Sequence, residues 1–459
     1  MSRKSFFLNG LLVSLLFLTG SLTAQNSPDL SEPLTLEDCV FYAINHNPDI
    51  RRAQLDEQNN DYVIKEVRSA ALPQITGTGQ YMNNYALAEQ ILPGEVFGQP
   101  GTSIPVKFGV ANTMTANVEV QQQLFNPSLF VGVKAAKAAK SLFQLRTFKS
   151  TEDLVYNMAT VYLQIQVSQR QKDIIEGNLN RINQLIKISE IQFEEGLIKK
   201  IDVDQLMVNR TNISSQLLNL EIGLDQQMNF LKFYMGLGSE TDISLSPYPL
   251  EEASYPLTES LNMSRNTDLR LLDKQLELTA FDADNIKAGY YPSLSAFIRY
   301  GWQGQTDKLF SSDEQNKLRG TSTGVFGLNL SVPIFSGFKK KHQSQQLRIQ
   351  QEQLALDRIN LTNNIRMQFD NANQTLQQNR RLVIAQKQNI ELAASLYEVT
   401  KLSYQEGVAP LTELLNAENS LNEAQTQYLN AMLNLKLAEL DHMDTSGQLA
   451  QLINEVVLK

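Results

Sequence analysis

Two carboxylates occupy matched places in this chain. Asp202 and Glu413 each follow a glycine, Gly196 and Gly407, by six residues. An acid at such a place favours the start of a helix electrostatically. The other groups able to do chemistry are sparse. His46, His342 and His442 are scattered singly, and Cys39 is the one cysteine, so no disulfide framework and no transition-metal centre is expected. Cys39 sits in LTLEDCVFYAINHNP, on the expected buried face of a helix opened by Thr35, where a thiol packs as a small apolar group. The chain has no phosphate-binding glycine loop, no nucleophile elbow and no H-E-x-x-H. Its carboxylates are spread along helical stretches rather than paired. No catalytic residue and no cofactor is expected.

The composition fits solvated helices better than an enzyme core. The chain of 459 residues carries 42 Gln and 37 Asn against 89 charged residues, with a net charge of −9. Lys339 to Lys341 with His342 form the only basic cluster, read as a solvated helix start, so no nucleic-acid partner is expected. Arg3 and Lys4, the apolar run Leu11 to Leu18, and Leu22-Thr23-Ala24 before Gln25 predict a secretory signal peptide over 1–24. No cysteine follows where a lipid anchor would need one. No other run approaches the roughly 18 apolar residues of a membrane helix.

The sequence repeats itself. NPDI at 47–50 answers NTDL at 266–269, and RSAALPQITGTGQY at 68–81 answers KAGYYPSLSAFIRY at 287–300. VEVQQQLFNP at 118–127 answers LNLSVPIFSG at 328–337, and FEEGLIKKID at 193–202 answers YQEGVAPLTE at 404–413. The offset changes between 81 and 118, placing about nine extra residues in a loop of the first copy. The expected divisions are a first repeat over 34–240, a connector over 239–258, a second repeat over 255–446 and a tail over 447–459.

Inside each copy the period changes in a fixed order. Pro73 and Pro292 end a helix, since proline restricts the residue before it and lacks an N–H. That preceding helix is expected at about 36–71 and 260–290. Period-two alternation then predicts strands at about 73–83 and 113–125, and at about 292–302 and 322–335. Leu294, Ala296, Ile298, Tyr300 and Trp302 share one face; Phe326, Leu328, Leu330, Val332 and Ile334 share another. A stretch of about 69 residues follows each second strand, roughly 100 Å as a helix. Asn126-Pro127 opens the first, and Ser336 is expected to cap the second. Phe369, Leu376, Val383, Ile390, Tyr397 and Tyr404 fall seven apart, as do Met158, Ile165, Lys172, Leu179, Ile186 and Phe193 with one break at the lysine. Such heptads keep helices in contact along their length. Helices returning over about 202–236 and 413–445 complete hairpins at 127–236 and 337–445, with tips near 196–202 and 407–413.

Strands apolar on one side and polar on the other suit a membrane barrel wall. Four cannot close a barrel, and open edges are costly in lipid, so the chain must assemble: two copies supply 8 strands and three supply 12. The P-x-[IL] start of each odd strand, the [LI]-F end of each even strand and the [FY]-x-E-G-x5-[DE] turn, in this order and twice over, resemble the TolC family of outer membrane efflux proteins across about 34–446. The resemblance implies a mainly α fold with membrane β-strands. Four strands per chain complete a 12-stranded barrel as a homotrimer, and long antiparallel helical hairpins form a periplasmic tunnel. The connector and the tail would contribute to a collar around it. The implied function is the outer-membrane channel of a tripartite export system. The implied partners are a periplasmic adaptor (membrane fusion protein), an inner-membrane pump of RND or ABC type, and outer membrane lipid.

The same resemblance implies a periplasmic gate at the hairpin tips. Glu413 would contribute to an acidic ring facing the lumen, and Asp202 would help hold the tip closed with Tyr404 on the adjacent hairpin. The family's second acidic position is Asn416 here, and an arginine that pairs across the gate in some members is Ala409. The gate is therefore expected to be less charged or locked by other residues. Gly196, Gly407 and Pro410 shape the turns, and Lys199 and Lys200 either supply that lock or an adaptor contact, or are solvated surface. The rival reading is a periplasmic coiled-coil scaffold without a pore, which leaves the four amphipathic strands unexplained.

Overall fold

Helix starts follow the local chemistry of the sequence. Helix α1 (Leu36–His46) opens on a reciprocal cap, in which Asp38 N–H donates to Thr35 Oγ1 at 3.2 Å and Thr35 N–H donates to Asp38 Oδ2 at 3.0 Å. The single helix expected over 36–71 is in fact two. Asn47 Oδ1 accepts from the Asp49 N–H at 2.8 Å and starts α2 (Pro48–Ser69), and Pro48 has no N–H with which to continue α1. Asn126 caps α3 (Pro127–Glu194) in the same way, and α3 turns back as α4 (Lys200–Met235). The second half supplies α5 (Thr267–Ala288), α6 (Lys339–Gln405), α7 (Leu411–Ser446) and α8 (Gln448–Val457). Ser336 does not cap α6. Phe338 stands at that cap in the left-handed region, φ 61°, with no side-chain bond to the helix.

This computed structural model describes residues 30–251, 260–309 and 317–457. The expected signal peptide at 1–24, residues 252–258 of the connector and the last two residues of the tail lie outside the described residues.

Among the described residues six strands form two sheets. Strands β1 (Gln74–Asn83), β4 (Asn112–Phe125), β5 (Ser293–Thr306) and β6 (Arg319–Ser331) pair antiparallel in that order. The last strand is displaced from the expected 322–335: Pro333 offers no N–H to a ladder, so Val332 and Ile334 lie beyond it. Between β1 and β4, strands β2 (Glu89–Pro93) and β3 (Ser103–Lys107) build a separate hairpin, so the extra residues of the first copy are an ordered element. Its turn is tight at Gly94, where a Cβ would come within 2.3 Å of the Gln99 carbonyl oxygen.

Register sorts the large sheet into two faces. Glu119 stands opposite Arg299, and Asn117 opposite Gly301, on a polar side. Val118 opposite Tyr300, and Ile298 opposite Phe326, lie on an apolar side. That apolar side is open, with Phe326 70% and Leu328 61% exposed. Trp302 lies on it over two glycines; a Cβ on Gly304 or Gly320 would come within 2.4 Å or 2.3 Å of the indole. Among the described residues, strands β1 and β6 each keep one unpaired edge.

The helices form two hairpins, α3–α4 and α6–α7, joined to each other along α3 and α7. The long members are 68 and 67 residues. Met158, Ile165 and Ile186, and Phe369, Leu376 and Tyr397, are buried at the heptad positions. The break at Lys172 is an ion-pair site, its Nζ 2.8 Å from Glu221 on α4. Above the hairpins α1, α3, α4, α7 and α8 share a core containing Cys39, Met158, Leu231, Met443 and Ile453. Burial pushes the Cys39 thiol up to about 12, so it is an inert packing group. Leu34 bridges Leu245 of the connector, and Tyr162 donates to the Ser246 carbonyl at 3.0 Å. The chain alone exposes 30292 Å². A compact monomer of this size would expose about 17,000 Å². Among the described residues no helix is long and apolar enough to cross a membrane.

Candidate functional site

The two hairpin tips have one backbone and two chemistries. In both, a glycine in the left-handed region ends the long helix, with φ 75° at Gly196 and 73° at Gly407. Leu197 N–H donates to the Gln192 carbonyl at 2.8 Å, and Val408 N–H to that of Ser403 at 2.8 Å. The inner bonds of the same turns run from Gly196 N–H to Phe193 and from Gly407 N–H to Tyr404. These paired bonds satisfy the last carbonyls of each helix, and a side chain at either glycine would be strained there.

The return helices then diverge. Asp202 is the third residue of α4, and its Oδ2 accepts from the Lys199 N–H at 3.1 Å. Glu413 is the third residue of α7, but the residue in the place of Lys199 is Pro410, which has no N–H to give. The equivalent bond is chemically unavailable. Glu413 is exposed and has no ion-pair partner among the described residues. Asn416, one turn further on, is exposed too, and its carbonyl accepts from Ser420 Oγ at 2.9 Å. Lys199 and Lys200 are exposed, and Ala409 is partly covered.

Tyr404 ties the tips together through packing. Partly buried, it packs against two apolar clusters, one containing Leu206 of α4 and Leu411 of α7, the other containing Tyr397 of α6 and Leu414 of α7. Its hydroxyl is buried without a hydrogen-bond partner. Within one protomer no hydrogen bond joins Asp202 to Tyr404 among the described residues.

A polar knot that the sequence reading did not single out crosses the hairpins above the tips. Glu418 on α7 is fully buried, and its Oε1 lies 3.6 Å from Arg181 Nε on α3. The guanidinium also donates to Asn178 Oδ1, and Asn178 Nδ2 donates to Asn422 Oδ1 on α7. The Arg181 guanidinium carbon lies 5.9 Å from the centre of the Tyr397 ring on α6, so three helices meet at this group. Burial pushes the Glu418 carboxyl above the usual carboxylate range, and the nearby Arg181 charge pulls against that. Leu411, Leu414, Glu418, Leu421 and Gln425 alternate by three and four residues, so an acid occupies a seam position of a heptad. A polar group in such a seam fixes register at a cost in stability.

The chain matches the profile of the family described as outer membrane efflux protein over residues 42–237 and 260–442. It is 21% identical over 440 residues to the outer membrane protein TolC of Salmonella enteritidis, covering 92% of this chain and 83% of that protein. It is 22% identical over 343 residues to the alkaline protease secretion protein AprF of Pseudomonas aeruginosa, covering 71% of this chain and 69% of that one. Among solved structures, the Campylobacter jejuni CmeC outer membrane channel has a similar fold. That likeness has a TM-score of 0.71 at 14% identity, over 92% of this chain and 89% of that one.

Proposed function

This chain belongs to the outer membrane efflux protein family, and from that premise we propose that three copies close one duct through the outer membrane and the periplasm. The chain is an outer-membrane channel component of an export system, and a periplasmic adaptor and an inner-membrane pump are its partners at the other end. Three copies of the four-stranded sheet give a 12-stranded wall, with the apolar side against lipid and the polar side lining water. Residues 34–240 and 255–446 act as two versions of one unit, each giving two wall strands and one hairpin. The observation that carries this reading is the open sheet, apolar on one face and unpaired at both edges among the described residues, with β4 and β6 each followed by a helix of about 100 Å.

The gate follows from the difference between the tips. Glu413, left without a capping job by Pro410, faces the narrowing pore, where converging carboxylates concentrate cations. Asp202 serves its own helix start. With Ala409 offering no charge across the tips, the Arg181–Glu418 pair and the packing of Tyr404 hold the hairpins of one protomer together. Lys199 and Lys200 present positive charge for the adaptor. The test is to isolate the protein from outer membranes, measure its mass in detergent and record currents in planar bilayers. A homotrimer giving discrete current steps is expected. A soluble periplasmic monomer without conductance would overturn the reading.

A further inference from the structure

The polar face of the sheet carries a side chain foreign to a water-filled wall. Among the described strand residues, Phe297 is the only aromatic on that face, directly opposite Gln121 on β4 and Gly327 on β6. Its ring lies across Gly327, where a Cβ would come within 2.7 Å of two ring carbons. The absent side chain at Gly327 therefore seats the ring against the wall, and part of the ring stays exposed.

A cation stands beside it. Arg299, on the same face of β5, sends Nε and Nη2 to one oxygen of Glu119, at 2.6 Å and 2.5 Å. Its guanidinium carbon is 5.8 Å from the centre of the Phe297 ring. Both contacts to Glu119 use one edge of the guanidinium, and the Arg299 side chain remains 51% exposed. Val325 stands opposite Arg299 on this face, Met82 lies near the far end of β1 and Arg319 at the start of β6, and the rest is mainly Gln, Thr, Ser, Asn and Gly. A flat π surface with an adjacent fixed cation in this mainly polar wall forms a built recognition feature.

We propose that Phe297 and Arg299 form a contact station for planar aromatic anions, placed at mid-height in the strands. The ring of the passing molecule lies against Phe297, and its carboxylate or sulfonate meets the open edge of the Arg299 guanidinium. An aromatic cation is disfavoured, because Arg299 already occupies Glu119 and repels a second positive charge beside the ring. Weak, water-exposed binding of this kind slows a solute without trapping it, as conduction requires. The proposal rests on reading the polar face of the sheet as the lumen wall.

Single-channel recordings of the full chain test it, with 1-naphthalenesulfonate, methanesulfonate or a naphthyl trimethylammonium salt in the bath. Naphthalenesulfonate is expected to interrupt the current in a concentration-dependent way, and the other two are not. In Phe297→Leu and Arg299→Gln the interruptions shorten about fivefold or more, as loss of one stacking or charged contact predicts. Equal interruption by methanesulfonate or by the aromatic cation would overturn the station. So would unchanged dwell times in both variants. The comparison of compounds needs only the unaltered protein, so it stands even if a variant fails to fold. Absence of any current from that protein in every bath would overturn the channel reading itself, and the station with it.

Discussion

Arg181 Nε and Glu418 Oε1 lie 3.6 Å apart across the boundary between the two hairpins, with the carboxylate fully buried. A buried pair of this kind adds little net stability, but removing one partner strands the other charge. Arg181→Met is therefore expected to destabilise the hairpin contact by roughly 3–5 kcal/mol. The double variant Arg181→Met/Glu418→Met recovers most of the loss. Thermal unfolding in detergent checks the stability, and bilayer conductance checks the gate. The single variant should open more often than the native channel, and the double variant should not follow it.

Glu413 lacks the bond that Asp202 makes, because Pro410 has no N–H. Glu413→Gln should lower the cation preference of the channel while leaving its unfolding temperature nearly unchanged. Asp202→Asn should do the reverse, costing about 1 kcal/mol of helix-end stability with no change of selectivity. Reversal potentials in a salt gradient separate the two outcomes. Equal selectivity in all three proteins would remove Glu413 from the pore.

Glu152 is buried where α3 meets the start of α5 and the end of α7. Burial pushes its carboxyl from the ordinary 4.5 to about 7. Lys149 from α3 opposes the shift, and Asp268 and Asp444 from the other two helices add to it. Lys149 itself lies 3.1 Å from Asp153 and 3.5 Å from Asp268, and Arg265 borders the same cavity. From α6 that cavity receives the uncharged Asn364 and Gln368. An acid whose folded pKa is raised gives full stability below its unfolded value and loses it as pH climbs through the folded one. Glu152→Gln should thus match the native protein near pH 4.5 and exceed it above pH 7, by about 3 kcal/mol at most. Unfolding temperatures measured between pH 4.5 and 8.5 check this. A gap that does not change with pH would refute it.

Trp302 spreads over Gly304 and Gly320 on the apolar face of the wall. Gly320→Val puts two methyl groups where the indole lies, a clash worth about 1–3 kcal/mol in a packed site. It also lifts a side chain suited to the membrane–water boundary. The yield of assembled oligomer in the outer membrane should fall. Gly320→Ala should show a smaller fall of the same kind.

Much of the fold is legible in local patterns. The fold class follows from heptads, from prolines that end helices and from alternation that starts at the next residue. Asn126-Pro127 marks a helix start correctly, and Asn47-Pro48 carries the same signal for the break between α1 and α2 that the expectation of one helix passed over. Period-two alternation through Val332 and Ile334 extended a strand past Pro333, where the ladder has no donor. The candidate site is less legible. An acid in the seam of α7 is visible from spacing, but its partner Arg181 lies 237 positions away on another hairpin, and only packing of α3 against α7 brings them together. Pro410 could be read from the sequence, yet its effect on Glu413 needs the helix to begin at Leu411.

The two unpaired strands, β1 and β6, set how copies can join. Because β1 and β6 run in opposite directions, β6 of one copy can continue antiparallel into β1 of the next, always head to tail. A single copy has two raw edges. A joined pair still has two, one at each end, and so would any longer open row. Only the bond that closes the ring removes them, and it removes both at once. Partial assemblies therefore gain little relief in lipid and should be short-lived. Completion is close to all-or-none, with free copies and finished rings as the species that accumulate.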